Sequence, residues 1–208
     1  MSLQTKLDLH LERKLFHTVG VLMIFGIYEW LPHNVSWGLF LFALVGAVST
    51  DFLRLRYPQF NKLAIGLLRP VVRQEEYDSC SAVTYLMIGV TLCRLFFPEL
   101  VVSISLLFLA FGDPVASAFG ILYGRKKIMG NKSDAGFFAA FVACSIVLWA
   151  YNSYHGFFSS WTVAFCLLGG LIGAISELIP VGKLDDNLSQ PLLSGALLTA
   201  LFYFIEIL

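Results

Sequence analysis

Residues 99–134 read ELVVSISLLFLAFGDPVASAFGILYGRKKIMGNKSD, and how this stretch is read decides the fold. About 20 mostly apolar residues suffice to cross a bilayer as a helix, and residues 99–122 supply them. Inside that run stand Asp113 and Pro114, and after it come Arg125, Lys126, Lys127 and Lys132. A carboxylate at membrane depth is costly and marks function by default. A proline inside a helix costs about 3 kcal/mol, and broken backbone at that depth is tolerated where it lines a cavity. The stretch therefore predicts a span interrupted at Pro114. The second half would open with proline at its first position and turn free N–H groups toward a site. Gly112, Ala116, Ser117, Ala118, Gly120 and Gly124 are small enough for close helix packing.

The rest of the chain agrees with a membrane reading. Only 13% of its 208 residues are charged and 58% are hydrophobic, whereas soluble domains average about 25% charged. Seven apolar segments are long enough to count as spans, at about 14–31, 35–53, 79–97, 99–122, 135–153, 160–180 and 188–207. The fold class expected is an all-α integral membrane protein forming one domain over residues 1–208. Between spans two and three, basic residues alternate with Leu63, Ile65, Leu67 and Leu68, predicting an interfacial amphipathic helix. The first span holds His17 and Glu29 and lacks a small-residue cleavage site, so it reads as a span and not a cleaved signal. Cys80, Cys93, Cys144 and Cys166 form no CxxC pair and read as small hydrophobes.

Charge placement predicts the orientation. Of the fourteen Lys and Arg, Arg94 alone falls on one side and the other thirteen fall on the other. By the positive-inside rule the N-terminus is cytoplasmic. At about 1.5 Å per residue, Asp51, Asp113, Glu177, Asp185 and Asp186 then reach the cytoplasmic half together, with His17 one turn into span one. Glu29, Arg94, Glu99 and Glu206 fall at the other end and read as solvated interface. His10, His33 and His155 read as loop residues, and Glu75, Glu76 and Asp78 as a solvated loop run.

Carboxylates gathered with cations suit phosphate transfer. Oxygen ligands hold Mg²⁺ while leaving positions for phosphates, Lys and Arg clamp the remaining charge, and the reaction needs chiefly positioning and electrostatic stabilisation. GRKKIMGNKS is not a P-loop, because five residues and not four separate Gly124 from Gly130 and Asn131 precedes Lys132-Ser133. A glycine loop with Lys132 and Ser133 still offers N–H groups and a point charge to phosphates.

Four motifs occur in order: ERKLFHTVG (12–20), DFLRLR (51–56), GDPVASAFGILYGRKKIMGNKSDAGF (112–137) and ELIPVGKLDDNLSQPL (177–192). Together they resemble the CTP-dependent lipid kinases (dolichol kinase, yeast-type diacylglycerol kinase and phytol kinase), within the wider group of CTP-using membrane transferases. The resemblance implies transfer of the γ-phosphate of CTP to a lipid alcohol with a divalent cation, Mg²⁺. It implies site roles for Arg13, Lys14, His17, Asp51, Arg54, Asp113, Gly124, Arg125, Lys132, Ser133, Glu177, Asp185, Asp186 and Asn187. On this reading Asp113 with Asp185 or Asp186 ligates the metal. Arg125, Lys132, Ser133, Gly124 and Asn187 hold the nucleotide, and Arg13, Lys14 and Arg54 neutralise charge at the mouth. Asp51 or Glu177 would accept the alcohol proton, with His17 a lesser candidate. The expected partners are CTP, a membrane lipid alcohol and membrane lipids, with no nucleic acid. The expected location is a bacterial inner membrane or the endoplasmic reticulum, with the site cytoplasmic. Two alternatives stay open: a CTP:phosphatidate cytidylyltransferase, and a non-enzymatic transporter.

Overall fold

The computed structural model describes residues 11–68, 74–157, 162–182 and 184–204. Lys6, His10, Arg69, Arg73, Lys183 and Glu206 lie outside the described residues, as do the side chains of Leu67, Leu68 and Glu75.

The described chain is all-α apart from one small hairpin. Its helices are α1 Leu11–Trp30, α2 His33–Arg56, α3 Pro58–Leu68, α4 Ala82–Phe96, α5 Glu99–Tyr123, α6 Asp134–His155, α7 Thr162–Leu178 and α8 Asp186–Phe204. A 3₁₀ turn, Gln74–Tyr77, precedes α4. Strands β1 Lys127–Met129 and β2 Lys132–Ser133 pair antiparallel around Gly130, whose φ of 55° suits glycine. The helices α2, α5 and α6 are long and apolar enough to cross a membrane, and α4 and α7 are shorter apolar helices.

Local chemistry sets the boundaries. Tyr57 is extended (φ −120°) as a residue before proline should be, and Pro58 opens α3. Ser81 and Ser133 cap α4 and α6 by accepting the N–H groups of Thr84 and Gly136. Asp185 does the same for α8, accepting from Asn187 N at 2.9 Å. Gly156, left-handed at φ 71°, ends α6.

Helix α5 is the axis of the bundle: 67% of its apolar window is buried, against 17% in α2 and 22% in α6. One buried cluster joins α1, α2, α4 and α5 through Val21, Ile24, Phe40, Met87, Val90 and Leu106. A second joins α5 to α6, α7 and α8 through Phe108, Cys144, Leu148, Phe165 and Phe202.

The expected break at Pro114 does not occur. Helix α5 runs through it from Glu99 to Tyr123. Pro114 has no N–H to give to Ala110 O, four residues back, and Thr18 Oγ1 of α1 donates to that carbonyl instead, at 3.1 Å. The carbonyl freed by the proline is therefore satisfied from a neighbouring helix. Pro191 lies inside α8 in the same way. The carbonyl it leaves free, Asn187 O, sits 2.8 Å from where a Cβ on Gly89 of α4 would be. Glycine at 89 is what lets α4 and α8 meet there.

Gly89→Val should accordingly force α4 and α8 apart, at about 1–3 kcal/mol for overpacking. At Gly46 a Cβ would meet nothing within 4 Å, so Gly46→Val should be near neutral. Thermal unfolding in detergent reads both, and equal midpoints for the two variants would contradict the packing.

Candidate active site

Consecutive helices alternate in direction, so one end of the bundle collects the start of α1, the end of α2, the start of α4 and the end of α5. It also collects the starts of α6 and α8 and the end of α7. Between these ends lies a cavity of about 680 Å³. Helical spacing aims the lining. Arg13, His17, Gly20 and Ile24 form one face of α1; Ala47, Asp51 and Arg54 one face of α2; Asp113, Ala116, Ser117 and Gly120 one face of α5.

Lys132 of β2 ties three elements together at this cavity. Its Nζ donates to Glu177 Oε1 of α7 at 2.6 Å and to Asp186 Oδ2 of α8 at 3.0 Å. Burial alone would lower the Lys132 pKa, but the charges of Glu177, Asp186 and Asp113 outweigh it and raise the pKa above the usual lysine value. A raised lysine pKa keeps the group charged well into alkaline pH, so the bridge persists through the neutral range.

Across the cavity stand Asp113 and Lys14. Lys14 Nζ and His17 Nε2 are both buried and, among the described residues, have no hydrogen-bond partner. Buried polar atoms left unpaired cost about 1–3 kcal/mol each, more when charged. Two of them aimed into one cavity therefore mark where a polar ligand would be stabilised.

A second network closes one wall. Arg54 and Asp51 are 5% and 3% exposed, with Nε donating to Oδ1 at 2.6 Å. Arg54 also donates to the backbone carbonyls of Glu76, at 2.6 Å, and Ser79. The other Asp51 oxygen accepts Ser81 N at 2.7 Å and Ser81 Oγ at 3.1 Å. This pair thus fastens the 76–81 segment to α2.

Most of the residues singled out in the sequence meet at the cavity: Arg13, Lys14, Asp51, Arg54, Asp113, Lys132, Ser133, Glu177, Asp186 and Asn187 all line it. Three do not. Arg125 is exposed on the hairpin, and Asp185 turns its carboxylate to the α8 cap. Gly124 is a packing residue, since a Cβ there would lie 2.6 Å from Ser133 Oγ. Among the described residues no three His, Cys, Asp or Glu form a closed metal cage. Gly124 and Gly136 make room for the Ser133 side chain, since a Cβ at either would lie 2.6 or 3.3 Å from its Oγ.

Some residues were read too blandly. Glu76 is buried, lines the cavity and accepts Ala82 N at 3.2 Å; its acidic neighbours hid it in a loop run. Ser81 was findable as a serine just before an apolar run, a capping signal. At the opposite end, Glu29 accepts from Ser103 at 2.7 Å and Tyr151 at 3.2 Å and pairs with His155 at 3.2 Å. There Arg94 is buried against Tyr28, Trp37 and Phe40 and bonded to Ser36 and His33. Glu29 and Arg94 therefore sit in an ordered polar cluster and not in solvated interface, whereas Glu99 is exposed as expected; His33 and His155 are helix-end residues within the cluster.

The CTP-dependent diacylglycerol kinase 1 of Schizosaccharomyces pombe is 34% identical over 164 residues, covering 74% of this chain and 75% of that protein. The chain belongs to the CTP-dependent lipid kinase family. The Saccharomyces cerevisiae protein of the same name is 29% identical over 211 residues, covering 91% of this chain and 72% of its own. That of Eremothecium gossypii is 29% identical over 215 residues, covering 93% and 68%. No protein-family model and no solved structure matches.

In this family member, Arg54→Met should leave Asp51 buried without its ion partner and cost about 3–5 kcal/mol. Adding Asp51→Asn to that variant should recover part of the loss. Thermal unfolding of the detergent-solubilised protein reads both; an Arg54→Met protein as stable as its parent would contradict the buried pair.

Proposed function

We propose that this chain transfers the γ-phosphate of CTP to the hydroxyl of a membrane lipid alcohol. Diacylglycerol is the first choice, since the relatives' names state it; polyprenol or dolichol and phytol offer the same hydroxyl. On this reading the seven long helices α1, α2 and α4 to α8 all cross the membrane, α3 lies at its surface, and the cavity opens at the cytoplasmic leaflet. The observation that carries the reading is the pair of buried, unpartnered polar atoms, Lys14 Nζ and His17 Nε2, facing Asp113 and the Lys132 bridge across one cavity.

The residues divide the work as follows. Lys14, Arg13 and Lys132 meet the triphosphate oxygens, whose negative charge supplies the partner Lys14 lacks. Asn187 and Ser133 border the same space, offering polar groups to the nucleotide. The acceptor oxygen attacks the γ-phosphorus, the bond from that phosphorus to the β-bridging oxygen breaks, and CDP leaves. Asp113 stands free of the Lys132 bridge and takes the proton lost by the hydroxyl. Asp51 and Glu177, each held in an ion pair, position the walls and the Lys132 ammonium.

The residues present fit Mg²⁺. This ion uses one or two carboxylates plus substrate phosphates, and not a closed protein cage. Asp186 borders the same cavity and would supply such an oxygen, which leaves Asp113 for the proton. When bound, Mg²⁺ would neutralise charge on the β- and γ-phosphates.

The test uses purified protein in lipid nanodiscs with Mg²⁺, diacylglycerol, polyprenol, phytol and phosphatidate. Label should reach lipid from γ-labelled CTP and not from α-labelled CTP, and Asp113→Asn should lower that transfer by about 10²–10⁴-fold while the protein stays folded. Lipid labelled from the α position instead would make the chain a cytidylyltransferase and overturn the reading.

A further inference from the structure

The phosphate chemistry occupies one end of the cavity, and its apolar remainder lies between two helices that scarcely touch. Helices α1 and α2 are consecutive, yet α1 packs on α5 and α2 on α4. Near their shared turn Tyr28 stacks on Phe40 with ring centroids 6.4 Å apart. Arg94 lies over both rings, at 4.9 and 5.4 Å. From that clasp the two helices part toward the cavity. Phe16, Gly20 and Ile24 face the gap from α1, Ala47 and Thr50 from α2, and Met87 of α4 lies behind them. Gly20 sits midway along the α1 face, and a Cβ there would meet nothing within 4 Å. Phe16 lines the cavity and is also 51% exposed, so the cavity reaches the outer flank of the bundle at this gap.

We propose that the gap between α1 and α2 seats a hydrocarbon chain of the lipid acceptor, with Gly20 setting its width. The proposal rests on the lipid-kinase reading of the polar end, and the continuity of one cavity selects the occupant. An acceptor must place its hydroxyl beside Asp113 while its chain stays in an apolar surround, and the cavity offers both along one path. His17 stands at the change from polar to apolar lining, one turn from Gly20. Its buried, unpartnered Nε2 is placed to hydrogen-bond a headgroup oxygen of the entering lipid. The chain enters sideways from the bilayer, so the lipid need not leave the membrane to react. Apolar burial along the gap supplies the affinity.

The test pairs kinetics with photolabelling in nanodiscs. Gly20→Leu should raise the KM for dioleoylglycerol at least tenfold and leave the KM for CTP within twofold. Gly46→Leu, on the outer face of α2 and away from the cavity, should match the parent in both. In the unmodified protein, a diacylglycerol with a diazirine in its acyl chain should label residues 16–24 of α1 and, on α2, Ala47 and Thr50. A Gly20→Leu enzyme with the parental lipid KM would overturn the proposal, as would equal rises in both KM values or labelling confined to α7 and α8. Failure of the unmodified protein to move the γ-label would defeat the kinase reading instead, and photolabelling of α1 and α2 would still support the gap as a lipid seat.

Discussion

The Lys132 ammonium, held between Glu177 and Asp186, is the interaction on which the site depends. It joins the hairpin after α5 to the end of α7 and the start of α8, 45 and 54 residues further along the chain. Taking Glu177 out of water is expensive, and only the lysine at 2.6 Å makes it tolerable. The arrangement also sets an upper bound on what else Glu177 can do. With one oxygen taken up by the ammonium, Glu177 is read as the holder of Lys132, and the proposed proton acceptor is Asp113. Because Asp186 stands in the first turn of α8, its charge is favoured by the helix dipole as well as by the lysine.

Two prolines show how the bundle keeps backbone groups satisfied without breaking helices. Pro114 orphans the Ala110 carbonyl, and Thr18 supplies the missing donor. That bond also ties α1 to α5 one residue from His17 and near the depth of Asp113, so the same contact that repairs the helix helps set the distance between Lys14 and Asp113. Pro191 frees the Asn187 carbonyl, and Gly89 lets α4 come up against it. Both repairs lie beside the cavity, where irregular backbone is tolerated.

Much of this was legible in the sequence because membrane helices are written in long apolar runs. Each of the seven predicted segments overlaps a helix, three of them long and apolar enough to cross a membrane, and the depth arithmetic brought Asp51, Asp113, Glu177 and Asp186 to one end. What the sequence hid was partnership. The i,i+3 spacing on α2 pairs Asp51 with Arg54, but nothing local to Asp51 says that it will also accept from Ser81, and nothing local to Asp185 separates it from Asp186. The first caps a helix and the second meets a lysine 54 residues away. The proline was misread for the same reason: its cost was visible, but the threonine on another helix that offsets it was not. Arg94 and Glu29 looked like interface charges because their aromatic and hydroxyl partners come from four different helices.

The account's central claim is that nucleotide phosphates meet the chain where Lys14, Asp113 and Lys132 converge. Hydrogen exchange in nanodiscs, with and without CTP and Mg²⁺, tests it most directly. The account predicts new protection at residues 13–18, across the 127–133 hairpin and at 185–190, with the Glu29–Arg94 end unchanged. Protection confined to that opposite end, or none at the hairpin with CTP saturating, would contradict it.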